Sequence, residues 1–181
     1  MWIEVVIPFD EHGWLASAYN RALEEGTSEW ILFLDHDVFL CNPRWYQMCL
    51  RAIESVKDDK SAAVITCAAG GQRHHSVLKN GVLSSSIEYF IEQSRKKYKE
   101  WGNTVQKIDV NFAGYFMLLN RDIAKSMQFK QVGKTINNID TDFAKRLFAA
   151  GYGVYYMPGL YVYHRRGMGH LKESFVTDIQ V

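Results

Sequence analysis

Asp35 and Asp37 close an apolar run in "WILFLDHDVF", residues 30 to 39, with His36 between them. On a strand, residues two apart point to the same side, so the two carboxylates can converge on one ligand. Adjacent carboxylates repel each other, and both ionise more readily beside a cation. Hard oxygen donors suit Mg²⁺ or Mn²⁺, and a diphosphate could complete the coordination with its own oxygens. A plain acidic turn after a strand produces the same letters, and on D-x-D alone the two readings stand level.

A second acidic pair shifts that balance. Asp140 and Asp142 stand at a helix start in "NNIDTDFAKRLFAAGYGVYYMPGLYVYHRRG". An ordinary helix cap accounts for one of these carboxylates but not for both. His164 then closes the last strand. A lone histidine among aromatics is usually structural; one that follows paired carboxylates by about a helix and two strands is better read as a ligand. His170 is a second histidine that could take that place, and Arg165 and Arg166 could meet a diphosphate or stay a solvated basic pair.

Positioning these groups requires strands that end near one another. "WIEVVIPF" is a β-branched run ended by Pro8 and predicts a first strand. "GWLASAYNRALEEG" has helical spacing and a stop at Gly26. "WILFLDHDVF" is the second strand. Asn42 and Pro43 open a helix that runs to about Val56, and "AAVITCAA" is a third strand. "SSSIEYFIEQSRKKYKEW" is a helix with a capping box at Ser85 and Glu88. Its basic stretch Arg95–Lys99 reads as a solvated face. "FAGYFMLLN", "RDIAKSM" and "IDTDFAKRLFAAG" predict a strand and two helices, and "GVYYMPG" and "LYVYH" two last strands. This alternation predicts an α/β/α sandwich with a mainly parallel sheet. Trp14, Trp30, Trp45 and Trp101 fall at apolar positions and are expected in the core, and "GGQRHH" as an exposed polar loop.

The chain has 181 residues, a formal net charge of +1 and 48% hydrophobic residues. That size favours one domain over residues 1–181, with the tail 168–181 as a mobile or packing segment. The near-neutral balance argues against nucleic acid as a partner. No apolar run is long enough to span a bilayer. The start lacks the basic n-region of a secretory signal, and Cys41, Cys49 and Cys67 form no disulfide framework or C-x-x-C zinc pair. The expectation is a soluble, cytoplasmic protein.

Taken in order, "VVIPF", "ASAYNRAL", "LFLDHD", "FAGYFMLLNRD" and "IDTDFAKRLFAAGYGVYYMPGLYVYH" resemble the family 2 glycosyltransferases of GT-A fold, over residues 1 to about 167. The last stretch is similar to that family's E-D-x-D/E segment with its later R, G, P and V-x-H. The resemblance implies a nucleotide-diphosphate sugar donor, UDP- or GDP-linked, an acceptor hydroxyl, Mn²⁺ or Mg²⁺, and transfer with inversion. Asp37 would then coordinate the metal, His164 would be a further ligand, and Asp35 would lie toward the ribose or beside the metal. Asp140 would be the catalytic base, with Asp142 supporting it or the helix start; Ile139 stands where the family has a glutamate. Pro8, Phe9, Asp10, Asn20 and His36 would belong to the nucleotide-sugar site. Gly114 would let backbone approach the sugar, as a glycine inside a strand suggests physically.

The chain also departs from that family. Phe9 leads within a few residues to the "WLASAYN" helix, where the family carries a second strand, an acidic loop and a third strand. The aspartate that reads the base there has no clear counterpart. The first strand should therefore be an apolar sheet edge, and a homo-oligomer that covers it is expected. Two other readings compete. A haloacid-dehalogenase-type phosphatase also opens on a strand and D-x-D, but Phe39 and the helix-start position of the second acidic pair fit it poorly. A binding module that keeps a nucleotide-sugar or glycan site without turnover is the other.

Overall fold

The computed structural model describes residues 2–70, 78–79, 82–83, 87–132 and 138–164. In chain order the elements are β1 (Ile3–Val6), α1 (Leu15–Glu25), β2 (Trp30–Leu34), β3 (Val38–Phe39), α2 (Trp45–Val56), β4 (Ala62–Gly70), β5 (Leu78–Lys79), β6 (Val82–Leu83), α3 (Ile87–Trp101), β7 (Gln106–Ile108), β8 (Phe116–Asn120), α4 (Arg121–Met127), α5 (Ile139–Ala149) and β9 (Gly153–His164). The main sheet has the order β1-β2-β8-β4-β9-β3, with β7 also on β9; β5 and β6 pair separately.

β2 is buried along its whole length, which is why it reads as an unbroken apolar run. Its side chains divide by parity. Trp30, Leu32 and Leu34 pack under Met48, Cys49, Ala52 and Ile53 of α2. Ile31 and Phe33 pack on the opposite face with Tyr19 and Leu23 of α1, Ala124 of α4 and Phe143 and Leu147 of α5. Two apolar layers therefore sandwich the sheet, as the alternation of elements predicts. Fully burying a side chain such as Phe33 or Leu32 stabilises the fold by roughly 1.5–3 kcal/mol, so both helical layers are held to β2.

The sheet is mixed, and this corrects the expectation of a mainly parallel one. β1 and β2 pair in parallel, as do β4 and β9, whereas β8 is antiparallel to both β2 and β4. The cause is the path after β7. β7 pairs with the start of β9, and residues 109–115 carry the chain to the far end of the sheet without a helix. β8 must then run back. Apolar periodicity reports burial, not direction, so this reversal left no mark in the pattern.

β1 lies at the sheet's edge, as expected from the missing strands. Trp2, Val5, Ile7, Phe9 and Trp14 are exposed around it, so Trp14 is not a core residue. Its position explains this: it precedes α1, and its N–H donates to the Asp10 carboxylate. Trp30 is buried as expected, and Trp45 packs partly against the α2-side core.

The two strands expected after α5 form one, β9. Its register on β4 jumps between Cys67–Met157 and Ala68–Tyr161, which leaves Pro158, Gly159 and Leu160 in a bulge where proline's missing N–H costs no ladder bond. At Gly159 a Cβ would lie 2.2 Å from the Gly102 carbonyl oxygen, so glycine is required there for the close approach. Among the described residues no helix is long and apolar enough to cross a membrane.

Candidate active site

β2 ends at Leu34, and the chain turns at once. The Asp35 N–H donates to the Tyr115 carbonyl at 3.2 Å, and the Asp35 carbonyl accepts from the Val38 N–H at 3.2 Å. That turn delivers Val38 and Phe39 into β3, where Val38 stands opposite His164 at the end of β9. The acidic pair and the histidine, more than 120 positions apart in the chain, therefore meet through one short strand pairing.

The His164 Nε2 lies 3.1 Å from Asp37 Oδ1 and 3.4 Å from Asp35 Oδ2. One ligand atom from each of the three residues lies within 4.8 Å of the others. His164 is 8% exposed, and Tyr115 packs against its ring with centroids 5.4 Å apart. Burial pushes the Asp35 carboxyl above its ordinary range; the neighbouring Asp37 carboxylate adds to this, and His164 opposes it. Two carboxylates and an imidazole, drawn together in a partly buried pocket at a cost to one of them, fit a divalent cation with oxygen preference. Of the two expected ions, Mn²⁺ accepts the imidazole more readily than Mg²⁺, which prefers an all-oxygen set. His36 is exposed between the two aspartates.

Asp140 joins this end of the sheet through Gly114 and Tyr115. Its Oδ2 accepts the Gly114 N–H at 2.8 Å and its Oδ1 accepts the Thr141 N–H at 2.7 Å. Gly114 adjoins Tyr115, whose carbonyl holds Asp35. One dipeptide thus fixes the acidic pair on one side and Asp140 on the other. The charges of Asp35 and Asp140 both act on the buried Tyr19 phenol, which burial already pushes well above its usual value. Asp35 in turn feels Asp140.

Gly114 lies just before β8 rather than within a strand. A Cβ there would meet the Asp140 side chain at 3.4–3.5 Å, ordinary contact. What Gly114 contributes is its N–H, not empty space. Tyr115 had no sequence signal of its own. It is buried, its hydroxyl donates to the Cys67 carbonyl at 2.5 Å, and burial raises that phenol strongly.

Three expected site residues are engaged elsewhere. Asn20 bonds both backbone groups of Phe129: its Nδ2 donates to the carbonyl at 2.9 Å and its Oδ1 accepts the N–H at 2.8 Å. It clasps α1 to the segment after α4, which fixes both ends of its amide on the backbone of Phe129. Asp142 pairs with Arg146 one turn along α5 at 2.8 Å, and Arg146 binds the carbonyls of Met127 and Gln128. Asp142 therefore anchors α5 to α4 and does not support the Asp140 carboxylate. Asp10 accepts the N–H groups of His12 and Trp14, and the bond from Trp14 leads the effects that hold its carboxyl below the ordinary value. It shapes the turn into α1. Pro8 and Phe9 follow β1 at the same end of the sheet as Asp35, with Phe9 75% exposed.

Arg73 and the rest of the loop 71–75, Ser85, Arg165, Arg166, His170 and the tail 168–181 lie outside the described residues.

Residues 5–127 match the sequence model described as "Glycosyl transferase family 2". The match runs from β1 through α4, so it contains Asp35, Asp37 and Gly114, and it stops short of Asp140 and His164. No curated protein matches the chain.

Proposed function

Since the chain belongs to glycosyl transferase family 2, we propose that it moves a sugar from a nucleoside-diphosphate donor to an acceptor hydroxyl, with a divalent cation and with inversion at the anomeric carbon. The α/β/α sandwich is GT-A-like. One observation carries the finer reading: the ligand atoms of Asp35, Asp37 and His164 gather within 4.8 Å of one another, and Asp140 is tied to the same sheet end through Gly114 and Tyr115.

Asp37, His164 and Asp35 would hold Mn²⁺ or Mg²⁺. The cation supplies Lewis-acid neutralisation of the charge that grows on the departing diphosphate. Every remaining role falls to the chain. Asp140 accepts the proton of the acceptor hydroxyl as its oxygen bonds to the anomeric carbon, while the bond from that carbon to the phosphate oxygen breaks and the nucleoside diphosphate leaves. The N–H bonds from Gly114 and Thr141 orient the carboxylate; Oδ1 also accepts the Thr141 hydroxyl, so Oδ2 is the oxygen with a second lone pair for the proton. Fixed placement matters because the oxocarbenium-like transition state rewards alignment. Pro8, Phe9 and His36 stand where the nucleoside and sugar would enter, with Asp10 shaping the loop beside them. UDP- and GDP-linked sugars are the donors to test.

We assign the whole of residues 1–181 to one domain, working as a cytoplasmic homo-oligomer in which a second copy covers the β1 edge. The exposed Val5, Ile7 and Phe9 along that edge support the assembly. Light scattering at micromolar concentration tests it, and a monomer there would reject it.

The central experiment is a thermal-shift panel of nucleotide sugars with and without Mn²⁺, followed by a transfer and donor-hydrolysis assay on each hit. Bound donor raises the melting temperature in proportion to the logarithm of its excess. Asp140→Asn should lose transfer and hydrolysis by at least about 10²-fold and keep the metal-dependent shift. Metal-dependent binding with no turnover in the native chain would instead identify a binding module.

A further inference from the structure

Between α2 and α3 lies an open groove of about 390 Å³, lined by Arg44, Gln47, Met48 and Arg51 on one side and Tyr98 and Asn103 on the other. Positions 44, 47, 48 and 51 follow helical spacing, so they form one stripe, with the two arginines about 10 Å apart along the axis. Met48 is buried against the core and forms the floor. Neither guanidinium has an ion-pair or hydrogen-bond partner among the described residues. The nearest carboxylate along the helix, Glu54, is taken by Lys57. Nor does α2 carry an acidic residue in its first turn, so its positive end adds to the charge of the arginines.

We propose that this groove is an anion-reading subsite that takes an acidic saccharide; the saccharide part rests on the transferase reading above. The carboxylate or phosphate of such a ligand lies between Arg44 and Arg51, where planar guanidinium groups bind oxyanions in pairs. The Gln47 and Asn103 amides meet ring hydroxyls, and the partly buried Tyr98 offers an aromatic face to a sugar's C–H side. The residues belong to a different pair of helices from those around Asp140 and share no side chain with the cation site.

Calorimetric titration of the full chain tests this with four probes: a trisaccharide of uronic acids, a neutral trisaccharide, a sugar monophosphate and inorganic phosphate. The acidic trisaccharide or the sugar phosphate should bind and the neutral one should not. Arg44→Gln and Arg51→Gln should each weaken the bound probe by about 10-fold, the equivalent of one charge-assisted contact. Asp37→Asn and omission of Mn²⁺ should leave that affinity unchanged. Binding of the uronic acid alone, or of the sugar phosphate alone, names the anion. The proposal is overturned if no acidic saccharide binds or if the double arginine variant binds as well as the native chain. Inorganic phosphate binding as tightly as the saccharides would overturn it too, as would loss of binding in Asp37→Asn. Failure of the transferase reading appears separately, as absence of metal-dependent nucleotide-sugar binding in the same native protein.

Discussion

The central sheet holds one carboxylate, Asp59, at one end and the pair Asp35 and Asp37 at the other, and it treats them in opposite ways. At the amino ends of β4 and β9, Asp59 is surrounded by donors: the Ser61 N–H at 2.8 Å, the Ser61 hydroxyl at 2.6 Å, the Lys107 ammonium at 3.1 Å and the Tyr155 hydroxyl. Its carboxyl is held far below the usual range, with the Ser61 hydroxyl as the leading cause. At the carboxyl ends of β2 and β9, Asp35 is raised by burial, and Asp37 adds to the rise. The chain completes the first cluster with its own donors, and that cluster pins β4, β7 and β9 together. The second is left with more negative charge than the neighbouring side chains balance. A cluster of that kind costs stability unless something from outside the chain completes it, which is how a binding site differs from a structural one.

The largest expected effect separates the two ends by ligand. Asp37→Asn or His164→Ala should weaken Mn²⁺ binding at least about 100-fold in titration calorimetry, since each removes a proposed direct ligand and even outer partners are worth 10–100-fold. Asp59→Asn should leave Mn²⁺ affinity where it was. If Asp59→Asn and Asp37→Asn lowered metal affinity alike, the contrast between the ends would fail.

The next effect, of about 1–2 kcal/mol, reverses the roles. Asp59→Asn removes a charged acceptor from several hydrogen bonds and should lower unfolding stability by that amount near neutral pH. The sign with pH follows from linkage. Asp59 is depressed in the folded chain, so its contribution is present above the ordinary carboxylate value of roughly 4 and is lost as pH falls through the folded value. Asp35 is raised, so its unfavourable contribution grows as pH rises from roughly 4 through its folded value. Urea unfolding without metal should therefore show Asp35→Asn gaining stability relative to the native chain above that window and Asp59→Asn losing it. Equal and parallel curves would erase the distinction.

These contrasts also mark how far the sequence could be read. Asp35, Asp37, Asp140 and His164 were legible because each sits where an element boundary is also legible: a strand end, a helix start, a last strand. β3 was not legible, although it is the piece that brings His164 to Asp37, because two residues carry no period. The direction of β8 was hidden for a related reason, since the irregular run before it decides which way it points. Asn20 and Asp142 resemble site residues by type and spacing, and only packing shows that Phe129 and Arg146 occupy them. Motif letters identify which groups could act; the partners that consume or spare those groups lie far along the chain.

The smallest effect bears on the link between the acidic pair and Asp140. If Gly114 serves by leaving room, Gly114→Ala should impair the site; if it serves through its N–H, alanine should be nearly silent. The space around it favours the second, since a Cβ meets Asp140 only at ordinary contact distance, and Gly114 is not among the residues with positive φ. Gly114→Ala should then change stability by no more than about 0.5 kcal/mol and leave donor hydrolysis intact. Gly114→Pro removes the donor to Asp140 Oδ2 and should depress hydrolysis while the Mn²⁺-dependent donor shift persists. A silent proline variant would mean that Asp140 does not depend on this bond, and the dipeptide would lose its place as the joint between the proposed base and the proposed metal ligands.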